Sequence, residues 1–245
     1  MASKAIAIVA GVGPGTGASV ARRFAKAYPV VLLARNPDNY ESLVKEINGS
    51  GGKAIGISTD VSSPDSLKNA MAQVNKEFGD VPAAAAIFNA SGRFARKPLL
   101  EMTLDEFQGG HEVSVKGAFL FSQATLPLLL KHVSSGEHPP TLIFTGATAS
   151  VKANALMSGF ASAKFAMRAL STSIAKEFAS KGVHVAHAVI DGVIDIPRTK
   201  EWLKDQPPEA KIEADGIADA YWGLHVQSKR CFTNEIDIRP MMEKW

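Results

Sequence analysis

Four glycines stand within seven residues at Gly11, Gly13, Gly15 and Gly17, and three of them give the spacing G-x-x-x-G-x-G. A turn of that kind brings backbone N–H groups close to a pyrophosphate, because no Cβ stands in the way. A helix that starts directly afterwards points its positive end at the same anion. Gly11, Gly15, Thr16 and Gly17 are therefore candidate nucleotide-binding residues; the alternative is an ordinary flexible loop. Arg35 lies twenty residues beyond Gly15. An acidic residue there would grip the ribose hydroxyls of NAD, whereas a guanidinium suits the 2′-phosphate of NADP through a bidentate charged contact. Asn36 is placed to add a hydrogen bond, and a solvated surface arginine is the competing reading of Arg35. Asp60 reads equally as an acceptor for an adenine amino group and as a cap ahead of Ser62 and Ser63. Asn89, Ala90, Ser91 and Gly92 are small and polar, fit for close backbone approach. Asp191 and Gly192, with Val193 and Ile194 beside them, permit another.

These residues need elements that place them at one edge. Apolar runs at 5–10, 30–34, 53–59, 83–88, 140–145, 184–190 and 231–238 read as strands. Helical patterns at 18–27, 39–48, 64–78, 103–131, 158–181 and 217–227 lie between them. Ser63-Pro64 has cap and first-turn chemistry, and Thr103 followed by Glu106 has the spacing of a capping box. Strands alternating with helices predict an α/β fold of Rossmann type. Its doubly wound, mostly parallel seven-stranded sheet has helices on both faces, and residues 1–245 form one domain. The strands lack polar alternation, as a sheet covered on both faces requires. Ligands then sit at the carboxyl ends of the strands, where the residues above fall.

Composition narrows the classes. Of 245 residues, 46% are hydrophobic and 21% charged, ordinary for a globular protein. A net charge of +3 gives no reason to expect a nucleic-acid partner. One cysteine, Cys231, excludes an internal disulfide and a cysteine-rich zinc site, so a reducing, cytoplasmic setting is the natural reading. No run of about 18 uncharged apolar residues is present, so no membrane span is expected. The N-terminal run is too short for a signal peptide and is needed as the first strand. No His/Asp/Glu cluster has metal-ligand spacing.

Taken together, these motifs resemble the short-chain dehydrogenase/reductase family over nearly the full length. The glycine turn is similar to that family's T-G-x-x-x-G-x-G, with Ala10 in place of threonine. Asp60-Val61 resembles its adenine motif, Asn89-Ala90-Ser91-Gly92 its N-N-A-G, and Phe160 through Lys164 its Y-x-x-x-K segment. Asp191-Gly192 stands where the family has Pro-Gly. The resemblance implies a catalytic set of asparagine, serine, tyrosine and lysine. Here Ser114, Ala147 and Phe160 occupy the first three positions, and only Lys164 remains. The resemblance further implies that Lys164 binds the nicotinamide ribose, that 196–214 is a substrate-closing loop, and that the chain forms a homodimer or homotetramer.

Phe160 and Lys164, four apart, share a helix face. Phenylalanine has no proton to give, and general acid catalysis is typically worth about 10² to 10⁴-fold. Thr145 and Thr148 read as hydroxyls for a substrate oxygen or, in the favoured reading, as loop hydroxyls bonded to backbone. Asp191 and Asp195 read as acid/base groups or turn formers, the turn being favoured for Asp191. His111 reads as structural or exposed, His184 and His187 as packing or bonding locally, and Tyr221 is not assignable. The excursion 196–214, with Trp202 and Leu203 as apolar contacts, is long enough for a helical lid. The expectation is an NADP(H)-dependent oxidoreductase acting on a small carbonyl, alcohol or activated C=C or C=N substrate. Non-redox chemistry with retained NADP, such as isomerisation or cyclisation, and a non-catalytic NADP-binding scaffold are the competing functions.

Overall fold

The computed structural model describes residues 5–244. Its first half runs β1 (Ile6–Ala10), α1 (Thr16–Ala25), β2 (Val30–Ala34), α2 (Glu41–Gly49), β3 (Ala54–Ser58), α3 (Pro64–Phe78) and β4 (Ala83–Phe88). There follow α4 (Leu104–His111), α5 (Ala118–His132), β5 (Thr141–Thr145), α6 (Ser158–Phe178) and β6 (His184–Ile190). The chain ends through β7 (Ile194–Asp195), β8 (Ile212–Glu213), α7 (Ala214–His225) and β9 (Glu235–Ile238).

Seven strands form one sheet in the order β3-β2-β1-β4-β5-β6-β9, and every neighbouring pair is parallel. Parallel neighbours require crossovers, and the helices supply them. Successive side chains of β1 therefore enter two different cores. Ile6, Ile8 and Ala10 pack with Phe88, Phe144, Phe121 and Met167 on the face covered by α3, α5 and α6. Ala7 and Val9 pack with Val20, Phe24, Ile217 and Tyr221 on the face covered by α1, α2 and α7. The strand order reverses between β1 and β4, which opens a crevice at their carboxyl ends.

Several expected elements have different limits. The pattern over 103–131 is not one α-helix: α4 and α5 are separated by a π-helical segment, Glu112–Gly117. The capping box at Thr103 and Glu106 does start α4. The segment 196–214 forms no helical lid. Pro197 and Pro208 each open a single 3₁₀ turn, and Leu203 at φ +53° and the extended Pro207 break the segment between them. Instead β7 pairs with β8 and draws the ends of the excursion together. The last strand starts at Glu235 rather than residue 231, because Gln227 holds Thr233 through two hydrogen bonds of 2.8 and 2.9 Å in a preceding loop.

Within the run Leu104–His132 an 18-residue window has a mean hydropathy of 1.4, enough by length and composition alone to cross a membrane. Glu112, Lys116 and Lys131 interrupt the run, so it is not an uncharged apolar run of 18 residues. Part of its apolar surface is accounted for in the fold, where Phe121 and Leu129 are fully buried in the core beneath α5.

Candidate functional site

The glycine turn is built around contacts that exclude side chains. Gly11 has φ +84°, and a Cβ there would stand 2.3 Å from the backbone nitrogen of Ala90. Asn89 ties the same point down by donating from Nδ2 to the Gly11 carbonyl at 2.9 Å. A Cβ on Gly17 would meet that carbonyl at 2.7 Å. Helix α1 then starts at Thr16 with Gly15 as its N-cap, no side-chain cap and no acidic residue in its first turn. The positive end of the helix is left for an anion, with the Ala18 N–H already bonded to the Gly13 carbonyl at 3.2 Å. This cradle fits the pyrophosphate of a dinucleotide.

Beside the turn lies a cavity of about 410 Å³ lined by Gly11, Arg35, Asn36, Asp60, Val61 and Ala90 among others. Asn89 and Ser91 also border it. Asp60 holds the turn ahead of α3 and also lines this cavity. Its Oδ1 accepts from the Ser62 N–H at 2.9 Å and hydroxyl at 2.7 Å, yet the residue still lines the cavity. The Ser62 bonds hold its carboxyl below the usual range, and the positive charges of Arg35 and Lys116 add to this. The N-cap of α3 is Ser63, which accepts from the Ser66 N–H. The Asn36 side chain is spent on its own turn, bonding both the N–H and the carboxylate of Asp38. Arg198, from the distant excursion, lines the same cavity.

A second cavity, of about 380 Å³, lies beyond β5 and β6 and is lined by Ala147, Thr148, Phe160, Gly192, Val193 and Glu243 among others. Phe94 closes one side, its ring packing edge-on against Phe160 at 5.1 Å. Phe160 is followed one turn later by Lys164, whose Nζ lies 5.8 Å from the phenyl centre. Lys164 is only 3% exposed and donates to the Thr145 carbonyl at 3.1 Å. Burial pushes its ammonium down to about 8. Ser114 is buried in the π segment, 3.5 Å from the Gly92 N–H, which points at its hydroxyl. Position 147 offers only a methyl and a backbone N–H, and that N–H is bonded to Ser150.

Other candidates fall elsewhere. Thr148 does not bond to backbone; its hydroxyl donates to the Asp191 carboxylate, whose other oxygen pairs with Arg239 at 3.1 Å. Asp191 is thus the centre of a bridge, not a turn former, and both its oxygens are held. The Thr145 hydroxyl accepts from Tyr221 at 2.9 Å, and Tyr221 is wholly buried, which raises its phenol well above the ordinary value. Asp195 is exposed and paired with Lys211 at 3.6 Å. Ile194 pairs with Ile212 in the β7–β8 ribbon. His184 bonds the carbonyls of Leu224 and Thr233, and His187 bonds Glu235 at 3.1 Å. His111 bonds the Phe107 carbonyl. Among the described residues no group of three His, Cys, Asp or Glu side chains is placed to hold a metal.

Sequence reasoning missed Phe94, Glu243 and Arg198 at the cavities. None carries a local motif; each arrives through a long-range contact. The presence of Pro197 just before Arg198 was the one local sign that this side chain is presented from a fixed turn.

The profile of the short chain dehydrogenase family matches residues 5–207. An uncharacterised oxidoreductase of Staphylococcus epidermidis is 28% identical over 237 residues, which cover 96% of this chain and 97% of that protein. The crystal structure of a short-chain dehydrogenase from Rhodopseudomonas palustris has 30% identity and a TM-score of 0.81, covering 97% of this chain and 99% of that one. A metagenomic short-chain oxidoreductase, solved in complex with NADP, shares the fold at 23% identity and a TM-score of 0.79, covering 98% and 99%.

Proposed function

The chain belongs to the short-chain dehydrogenase family, and from that premise we propose that it is an NADP(H)-dependent oxidoreductase whose active site lacks the usual proton donor. The glycine turn supports binding of the pyrophosphate, with Gly11, Gly15, Thr16 and Gly17 around it. Arg35 supports the 2′-phosphate, since no carboxylate stands at the end of β2 to hold a free ribose and Asp38, beyond it, does not line the cavity. Asp60 and Val61 border the adenine end, and Asn89, Ala90 and Val193 line the approach to the nicotinamide. Bound NADPH supplies a hydride. The protein would supply orientation, an aromatic wall at Phe160 and Phe94, and Lys164.

The observation that carries the reading is the wall itself. Phe160 and Ala147 face the second cavity with no hydroxyl, and Lys164 is the buried titratable group behind them. A ketone gaining hydride needs a proton on its oxygen as charge develops. A cationic C=N gains hydride and becomes a neutral amine with no proton transfer. A conjugated C=C takes its proton at carbon, which solvent can deliver. Such substrates suit a cavity without a phenol, and Phe160 with Phe94 gives aromatic surface to flank them. Lys164, which donates to the Thr145 carbonyl beneath the site, would hold the nicotinamide ribose. The segment 196–214 serves as the substrate loop. The whole chain acts as one unit in a reducing, cytoplasmic setting, consistent with one exposed thiol, Cys231. Exposed Leu104, Phe119, Leu130 and Phe165 on α4, α5 and α6 support assembly into a homodimer or homotetramer through those helices.

The test is NADPH consumption over a panel of ketones, cyclic imines and enones. Turnover of imines or enones above matched ketones is expected. Tight NADPH binding without oxidation of NADPH across the whole panel would overturn the redox assignment and favour non-redox chemistry.

A further inference from the structure

The first cavity is lined by two guanidiniums that come from opposite ends of the sequence. Arg35 follows β2, and Arg198 follows β7. Neither forms a salt bridge among the described residues. Asp60 is the one carboxylate lining the cavity, and its Oδ1 is already held by Ser62. Two like charges facing one space repel unless an anion lies between them. A phosphate monoester dianion has the charge and the oxygens for two guanidiniums.

Arg198 is held in place by a chain of local contacts. The excursion is closed at its base by Ile194 pairing with Ile212. Thr199 is buried, and its hydroxyl donates to the Ile194 carbonyl and accepts from the Ile196 N–H at 3.2 Å. Lys211 donates to the carbonyls of Thr199 and Lys200 at 3.3 and 3.1 Å. Ile196 rests on the glycine turn so closely that a Cβ on Gly15 would stand 2.6 Å from its methyl. Pro197 fixes the backbone between that contact and Arg198.

We infer that Arg198 is a second 2′-phosphate ligand and a cofactor-specificity residue, closing a two-arginine clamp with Arg35. This rests on the NADP reading above. It adds that the loop flanking the substrate cavity is itself held by the phosphate that distinguishes NADP from NAD. Trp202 lies four residues on and is 51% exposed, so it sits where it reports the state of the loop.

The intact protein is titrated calorimetrically with NADP⁺ and with NAD⁺, as wild type, Arg35→Ala, Arg198→Ala and Arg198→Lys. Trp202 fluorescence is read in parallel, with Trp202→Phe as the blank. Arg198→Ala is expected to weaken NADP⁺ binding about 10- to 100-fold while changing NAD⁺ less than about threefold. Arg198→Lys should retain part of the affinity, and NADP⁺ but not NAD⁺ should shift the Trp202 signal. Loss for both cofactors alike would overturn the inference, since it marks a pyrophosphate contact or a folding defect. Unchanged NADP⁺ binding in Arg198→Ala, beside a loss in Arg35→Ala, overturns the clamp and leaves the NADP reading standing. Failure of wild type to bind NADP⁺ overturns both.

Discussion

Replacing Phe160 by tyrosine adds a phenol to a cavity whose one lining hydroxyl, that of Thr148, is already spent on Asp191. The phenyl centre lies 5.8 Å from Lys164 Nζ, and the residue lines the second cavity. An opposite charge within about 4–6 Å favours the ionised form of a group. The new phenol, ordinarily near 10, and Lys164, which burial lowers to about 8, should therefore titrate as a coupled pair, each favouring the charged form of the other. Phe160 is half-buried, so one added oxygen at the cavity surface should change stability by no more than about 0.5–1 kcal/mol. A positioned general acid is worth about 10² to 10⁴-fold, or roughly 3–5 kcal/mol of barrier. Phe160→Tyr should thus raise kcat/KM for ketone reduction by about that factor, and change reduction of an N-alkylated, permanently cationic iminium little, because no proton is transferred there. The assay is NADPH absorbance with matched ketone and N-alkyl iminium substrates, with phenolate absorbance followed against pH in the same protein. A phenol that titrates well below 10 without any gain in ketone reduction would refute the idea that only the acid is missing.

Three further outcomes follow from single residues. Gly11→Ala places a methyl 2.3 Å from the Ala90 nitrogen at φ +84°, and should destabilise the fold by about 2–5 kcal/mol in urea denaturation while abolishing dinucleotide binding. Lys164 has its pKa lowered from 10.5 to about 8 by burial, so it is charged below 8 and neutral above. Between 8 and 10.5 the unfolded chain holds more protons, and stability should rise with pH there. Lys164→Met should remove that rise, stabilise the protein at pH 7 by about 1–2 kcal/mol in thermal unfolding, and weaken cofactor binding. His225 is wholly buried between Tyr28 and Thr141, and burial lowers it from 6.5 to about 3, with His138, His132 and His184 adding to this. The unfolded chain binds the extra proton in that window, so stability should fall as pH drops from 6.5 toward 3. His225→Gln should remove up to about 1.4 kcal/mol per pH unit of that slope, read from urea midpoints at pH 7, 5 and 4.

The sequence by itself determined the sheet and the glycine turn. An apolar strand buried on both faces has no polar alternation, and β1, β2, β4, β5 and β6 show none; this is a local property of composition. The turn is equally local, since four glycines between a strand and a helix leave few other uses. The proposal that Phe160, Ala147 and Ser114 stand at the family's tyrosine, serine and asparagine positions also comes from sequence alone. Only the tertiary structure decided what surrounds them. Asp191 reads as a turn former in isolation, because its partners Thr148 and Arg239 lie 43 residues before it and 48 after it. Tyr221 could not be placed until α7 packed under β5 and set its hydroxyl on Thr145. The lowered pKa of Lys164 exists only where the fold removes water around it. Arg198 meets the cavity of Arg35 across 163 residues of chain, through a β7–β8 pairing two residues long. Strand pattern and turn chemistry act over a few residues and can be read from order alone. Charge, burial and cavity walls depend on which distant residues the sheet order brings to the same carboxyl edge.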